Sequence, residues 1–110
     1  MRVGQPKLET IMTKKEYNGW FNYETWLVKL WIDNEEGTQS YWQEQAEEHF
    51  RRNGEEDISD LAHMLKEQHE DVLPELDGFA SDLMNAAMSE VNWHEIAESL
   101  INDAKEVVET

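Results

Sequence analysis

Residues 94–98, HEIAE, put a histidine and two carboxylates within about one helical turn. His94 and Glu98 stand four apart, a spacing at which two side chains on one helix face converge on a zinc ion. Glu95 occupies the place where a zinc hydrolase carries its general base. The second histidine of that arrangement is replaced by Glu98. Glu95 also follows Asn92 by three residues, the position from which a glutamate closes a capping box, and this structural duty accounts for the pattern without a metal. A second candidate is DNEEGTQSYWQE, residues 33–44, whose Asp33 and Glu44 match the first and twelfth positions of a calcium loop. Its glycine falls at the fifth position instead of the sixth, and its second half reads as helix, so calcium coordination is not expected. His49, His63 and His69 share no ligand spacing on one face, and His49 is placed along a helix flank near Phe50. There is no cysteine, no glycine-rich phosphate loop and no nucleophile elbow; Ser40, Ser59, Ser81, Ser89 and Ser99 read as caps or helix surface. The expectation is a protein that is not an enzyme and that uses no cofactor and no metal.

The chemistry that remains is acidity. Nine Lys and Arg stand against 25 Asp and Glu, a net charge of −16 over 110 residues. Residues 1–19 hold Arg2, Lys7, Lys14 and Lys15 against Glu9 and Glu16, so the remainder carries 5 basic and 23 acidic residues, or −18. Such a body repels nucleic acid and anionic membrane and is steered toward basic surfaces. Direct nucleic-acid binding is therefore not expected. The candidate partner-binding carboxylates are Glu44, Glu47 and Glu48, then Glu55, Glu56, Asp57 and Asp60, then Glu67, Glu70 and Asp71. Duplex DNA carries one negative charge per about 1.7 Å of axis. Carboxylates projecting in rows from helices can imitate that charge and occupy the basic groove of a nucleic-acid enzyme, with Trp20, Phe21 or Trp42 as an apolar anchor at its edge. The plainer alternative is a solvated acidic surface.

Helices must position these groups. Residues 1–18 read as a flexible N-terminal tail. Asn22 caps a first helix whose Tyr23, Trp26, Leu27, Leu30 and Trp31 form one apolar stripe, read as core, with Trp20 or Phe21 as a hydrophobic staple. Thr38 or Ser40 caps a second helix, ended by Gly54, that turns Tyr41, Trp42, Ala46, His49 and Phe50 inward. A third, from Asp57 or Ser59, buries Ile58, Leu61, Ala62 and Leu65, and Pro74 breaks the pattern. A fourth, about residues 78–91, uses Phe79, Leu83, Ala86 and Ala87; a fifth, from Asn92, uses Trp93, Ile96, Ala97, Leu100, Ile101 and Ala104. No β alternation and no internal repeat is visible. The fold class is all-α, a compact bundle of about five helices in one acidic domain over residues 19–108.

The stretch NGWFNYETWLVKLWIDNEEG, followed some fifty residues later by EVNWHEIAE, resembles a family of small uncharacterised proteins of bacteria, bacteriophages and plasmids, over about residues 17–101. The resemblance implies a phage or mobile-element context and brings no activity or catalytic residues with it. Joined to the acidity, it leads to the expectation of a non-enzymatic binding protein that inhibits a host nucleic-acid-processing defence system, of restriction or CRISPR type, by DNA mimicry. Its partner would be a basic host protein such as a nuclease. The alternative is a structural interaction module, a homodimer formed through an exposed aromatic face or the Ala86/Ala87 face. The lack of cysteine, of a signal-like apolar run and of a membrane-spanning segment suits a cytoplasmic protein. Met12 offers an alternative start, which would make the first eleven residues dispensable.

Overall fold

Asn18 and Gly19 both adopt positive φ, 47° and 87°, and so reverse the chain between Tyr17 and Trp20, whose backbones exchange hydrogen bonds of 2.9 and 2.7 Å. An Asn-Gly pair is the combination that tolerates a turn of this hand. The computed structural model describes residues 17–109, so the tail expected over 1–18 lies outside the described residues apart from Tyr17 and Asn18, which belong to this folded turn. Five α-helices follow: α1 Tyr23–Asn34, α2 Glu36–Asn53, α3 Ile58–Asp71, α4 Gly78–Ser89 and α5 Trp93–Glu109. A short 3-10 helix, Gly54–Asp57, links α2 to α3. The described residues contain no β-strand, and none of their helices is long and apolar enough to cross a membrane. The fold is all-α, as the periodicity implies.

The central element is α5. All six of its expected inward residues, Trp93, Ile96, Ala97, Leu100, Ile101 and Ala104, are buried. Its stripe packs against both α2 and α3. These two run antiparallel, so that Tyr41 near the start of α2 donates to Gln68 near the end of α3 over 3.1 Å. Leu61, Ala62 and Leu65 from α3 and Trp42 and Ala46 from α2 complete the centre, with Phe50 and Ile58 packed against it.

Three expectations are corrected. In α1 the period is helical but the phase is opposite. The face on the core is Thr25, Val28 and Ile32, with Trp20 beside it, while Tyr23 and Trp31 are exposed and Trp26, Leu27 and Leu30 are half-buried. In α2, neither Thr38 nor Ser40 is the cap. A single extended residue, Glu35 (φ −110°, ψ 123°), ends α1 and begins α2 at once. In α4, Phe79 is 80% exposed, Leu83 is also exposed, and no residue is buried. This helix leans on the core through Met88 and turns Phe79, Leu83 and Ala86 of its expected inner face to solvent.

α1 is drawn to α5 by a polar clasp. Each helix starts at an asparagine: Asn22 Oδ1 accepts from Thr25 N–H (2.9 Å), and Asn92 Oδ1 accepts from Glu95 N–H (3.0 Å). The two caps are then cross-linked. The Thr25 hydroxyl donates to Asn22 Oδ1 (2.6 Å) and accepts from Asn92 N–H (2.8 Å). Asn22 Nδ2 donates to the Glu90 carbonyl (2.6 Å), and Phe21 N–H donates to Glu95 Oε1 (2.9 Å). Glu95 thus takes up its capping position, but its carboxylate reaches across to α1 instead of back to Asn92. Helix starts leave several N–H groups without internal partners, and here each helix supplies acceptors for the other.

A second buried polar group fixes the α2–α3 corner. Asp57, expected among the surface carboxylates, is 2% exposed and is removed from that set. Its carboxylate accepts from His49 Nδ1 (2.7 Å), Asn53 Nδ2 (2.9 Å) and Arg52 (3.3 Å). His49, expected on the inward face of α2 and at its flank near Phe50, is buried beside it. Burial pushes the Asp57 carboxyl up, and the hydrogen bonds from Asn53, His49 and Arg52 outweigh it and hold the group below its ordinary 3.8.

Thr25→Val removes the hydroxyl at nearly constant volume and strands the Asn92 N–H. It is expected to cost about 1–3 kcal/mol in urea unfolding, with Thr25→Ser restoring most of it. A carboxyl depressed in the folded state stabilises at pH above its unfolded value and loses that contribution as pH falls through the folded one. The stability difference between wild type and Asp57→Asn, about 1–3 kcal/mol near neutrality, should therefore shrink as the pH falls below about 4; acid unfolding series of the two proteins check this.

Candidate functional site

The helices bring nine of the ten expected carboxylates to the surface, and the structure divides them. Glu47 approaches Arg51 (3.9 Å), Glu55 pairs with Lys105 (2.9 Å), Glu67 with His63 (2.9 Å) and Glu70 with Lys66 (3.0 Å). The hydrogen bond and charge of Glu55, with Glu109 nearby, raise the Lys105 ammonium above its usual value. Exposed pairs of this kind are worth little individually, so these carboxylates exchange partners at small cost. Glu44 and Glu48 on α2, Glu56 on the 3-10 helix, and Asp60 and Asp71 on α3 are exposed and have no ion-pair partner among the described residues. Between Lys66 and Lys105 the chain has no Lys or Arg at all, while it carries Glu67, Glu70, Asp71, Glu75, Asp77, Asp82, Glu90, Glu95, Glu98 and Asp103.

Where α1, the start of α2 and the end of α3 meet, an open groove of about 560 Å³ faces solvent. Ile32 and Trp42, both buried, belong to its lining. Trp31 (63% exposed), Tyr41 and Val72 are its exposed apolar walls, and Glu35, Thr38, Gln68 and His69 add polar groups. The sharp corner at Glu35 creates it, because a single extended residue sets Trp31 and Ile32 beside Gly37 and Thr38. The aromatic contacts continue inward. Tyr41 meets Trp42 edge-on at 5.0 Å, Trp42 stacks on His69 at 5.9 Å, and His69 lies 5.4 Å from Trp93 at the head of α5. His69 Nδ1 is 2.8 Å from the Leu65 carbonyl, which can only accept, so Nδ1 carries a proton. Sequence reasoning assigned Trp31 to the core and did not combine it with Tyr41. The available signal was a pair of large aromatics flanking a helix break.

The expected anchors are distributed differently. Trp42 is buried and reaches the groove from beneath; Trp20 packs on the core and lies 6.0 Å from the Lys29 ammonium; only Phe21 is exposed. On the other side of α1, Tyr17, Tyr23 and Trp26 form a three-ring cluster with centroids 5.0–5.6 Å apart.

The metal-like patterns do not converge. His94 and Glu98 are exposed, whereas Glu95 is buried and bonded to Phe21 N–H. Asp33 and Glu44 lie in two different helices, with Asp33 held by Lys29 at 2.8 Å. His49, His63 and His69 are engaged with Asp57, Glu67 and the Leu65 carbonyl. Among the described residues, no three His, Asp or Glu side chains are grouped to hold a metal ion.

The remaining surface is α4. Ala80 and Ala86 are exposed with Phe79 and Leu83, and Asp82 is the only charged residue in the helix. A crevice of about 380 Å³ separates it from the end of α3, lined by Leu73, Leu76, Met84 and Met88 among others. The Ala87 side is half-buried.

No curated protein and no solved structure matches the chain. Residues 13–109 match a family model described as a family of unknown function, DUF7249, and the chain belongs to that family.

Proposed function

We propose that the protein is a non-enzymatic acidic binding protein that occupies the basic surface of a nucleic-acid-processing protein by imitating the charge of DNA. The observation that carries this reading is the set of exposed carboxylates without counter-ions among the described residues, Glu44, Glu48, Glu56, Asp60 and Asp71, on a body of charge −18. Glu47, Glu55, Glu67 and Glu70 join them when a partner's Arg and Lys displace weak internal pairs. Glu44 and Glu48, four residues apart on α2, repeat negative charge every ~6 Å along the helix axis. That is sparser than duplex DNA, and the second antiparallel helix supplies a further row. The resemblance of the paired tryptophan-rich signatures to small phage and plasmid proteins supplies the context. In that setting the partner is a basic host nuclease, or a restriction or CRISPR component, met in the host cytoplasm.

A second reading has its own observation. The uncovered Phe79/Leu83/Ala86 face of α4, with one charge in twelve residues, favours self-association, because it is where two acidic bodies meet with least repulsion.

The first reading predicts a partner retained from host lysate at low salt, released by moderate salt, and displaced by duplex DNA. The triple change Glu44→Gln/Glu48→Gln/Asp60→Asn should weaken capture by about tenfold, at a fraction of a kcal/mol per exposed pair, while leaving the far-ultraviolet circular dichroism unaltered. Retention that ignores salt and these changes would contradict it. The second predicts a dimer in sedimentation equilibrium that persists in high salt and is lost in Leu83→Asp, a position whose exposure spares the fold.

A further inference from the structure

We infer that the groove between α1, the start of α2 and the end of α3 is a receptor for an arginine side chain presented by the basic partner; this rests on the proposed function and names what its surface must offer. Three independent features select a cation with a flat apolar face. The first is the lining: exposed Trp31 and Tyr41 rise beside buried Trp42. Aromatic faces attract a guanidinium through their quadrupole and accept its planar stacking.

The second is the charge of the rim. Glu35 lines the groove, Glu36 follows it, and Asp71 precedes Val72. Glu35 makes no side-chain cap on α2; among the described residues its carboxylate accepts one hydrogen bond, a long one from the Thr38 hydroxyl, 3.3 Å. A carboxylate at that position is available to a fork of N–H donors. Among the described residues no Lys or Arg lines the groove, and Lys29 of α1 is already held by both oxygens of Asp33 at 2.8–2.9 Å.

The third is helix polarity. The last turns of α1 and α3 both border the groove, through Trp31 and Ile32 and through Gln68 and His69. Helix C-termini carry partial negative charge and favour cations. The last turn of α1 has no basic residue, and the one N-terminus that opens here, that of α2, is offset by Glu35 and Glu36. A neutral apolar side chain would use the rings and leave the rim unanswered. A lysine would answer the charge but not the flat walls. Arginine answers both.

The test uses the full isotope-labelled chain and three hexapeptides with blocked ends: hexa-arginine, hexa-lysine and hexa-citrulline, the last an uncharged near-isostere of the first. At low salt, hexa-arginine should shift the Trp31 indole N–H and the Gly37 and Thr38 amides in two-dimensional nuclear magnetic resonance spectra. It should bind more tightly than hexa-lysine, and hexa-citrulline should not bind measurably. Trp31→Ala, at a position already exposed, and Glu35→Gln should each weaken hexa-arginine by about fivefold. Shifts confined to the Glu44, Glu48 and Asp60 regions, with Trp31→Ala binding unchanged, would overturn the arginine receptor and leave the acidic-face reading standing. Equal binding of hexa-citrulline would overturn the cationic assignment. No binding of any peptide would overturn both.

Discussion

The structure depends on two helix starts that satisfy each other. At the heads of α1 and α5, the N–H groups of Thr25 and Glu95 are taken by their own caps, while those of Phe21 and Asn92 are taken by acceptors from the opposite helix. Thr25 is wholly buried, and its hydroxyl is both donor and acceptor there. Buried polar groups left without partners are costly, so this arrangement tolerates few alternatives. It sets α1 against α5 with Thr25, Val28 and Ile32 inward, and that choice turns Trp31 outward. The corner at Glu35 then places the exposed Trp31 beside Tyr41. The groove is thus a downstream consequence of how two asparagine caps are shared.

Charge imposes the other constraint. With few cations and many carboxylates, the fold spends its cations sparingly. Lys29 holds Asp33, Lys66 holds Glu70, Lys105 ties the end of the chain to Glu55, and Arg52 helps His49 and Asn53 to neutralise the one carboxylate the corner buries. What is left exposed, from Glu44 on α2 to Asp71 at the end of α3, repels itself and lowers stability. A counter-charged surface would relieve that repulsion, which is the physical argument behind the proposed basic partner. The same field bears on the groove, whose rim lies at the end of these helices.

Much of the architecture is legible in the sequence where amphipathicity is clean. The inward residues of α5 and α3 lie where a helical period puts them, because their polar neighbours leave one choice of face. In α1 apolar residues occupy nearly every side, and the period alone cannot set the phase. The deciding residue is a threonine whose partners lie some seventy positions away, and no local pattern announces that. α4 misleads for the opposite reason: it is apolar enough to be core, but none of the other described helices covers its Phe79/Leu83 face. Asp57 sits in the run GEED and reads as surface acid; its burial follows from the convergence of His49, Arg52 and Asn53 on one carboxylate. Glu95 is half legible. Its capping position is local, while its bond to Phe21 is not. The acidic surface itself follows from composition, but the groove does not, because it needs the Glu35 corner and three helices in register.

The most direct measurement is native-state hydrogen exchange at the amides of Phe21 and Asn92, the two donors that cross between the helix starts. If the clasp holds the fold together, both open only with global unfolding and share the exchange free energy and denaturant dependence of the buried Ile96 and Leu100 amides in α5. Exchange of Phe21 and Asn92 through a small local opening, with those core amides still protected, would show that α1 docks as a separable unit and would contradict the account.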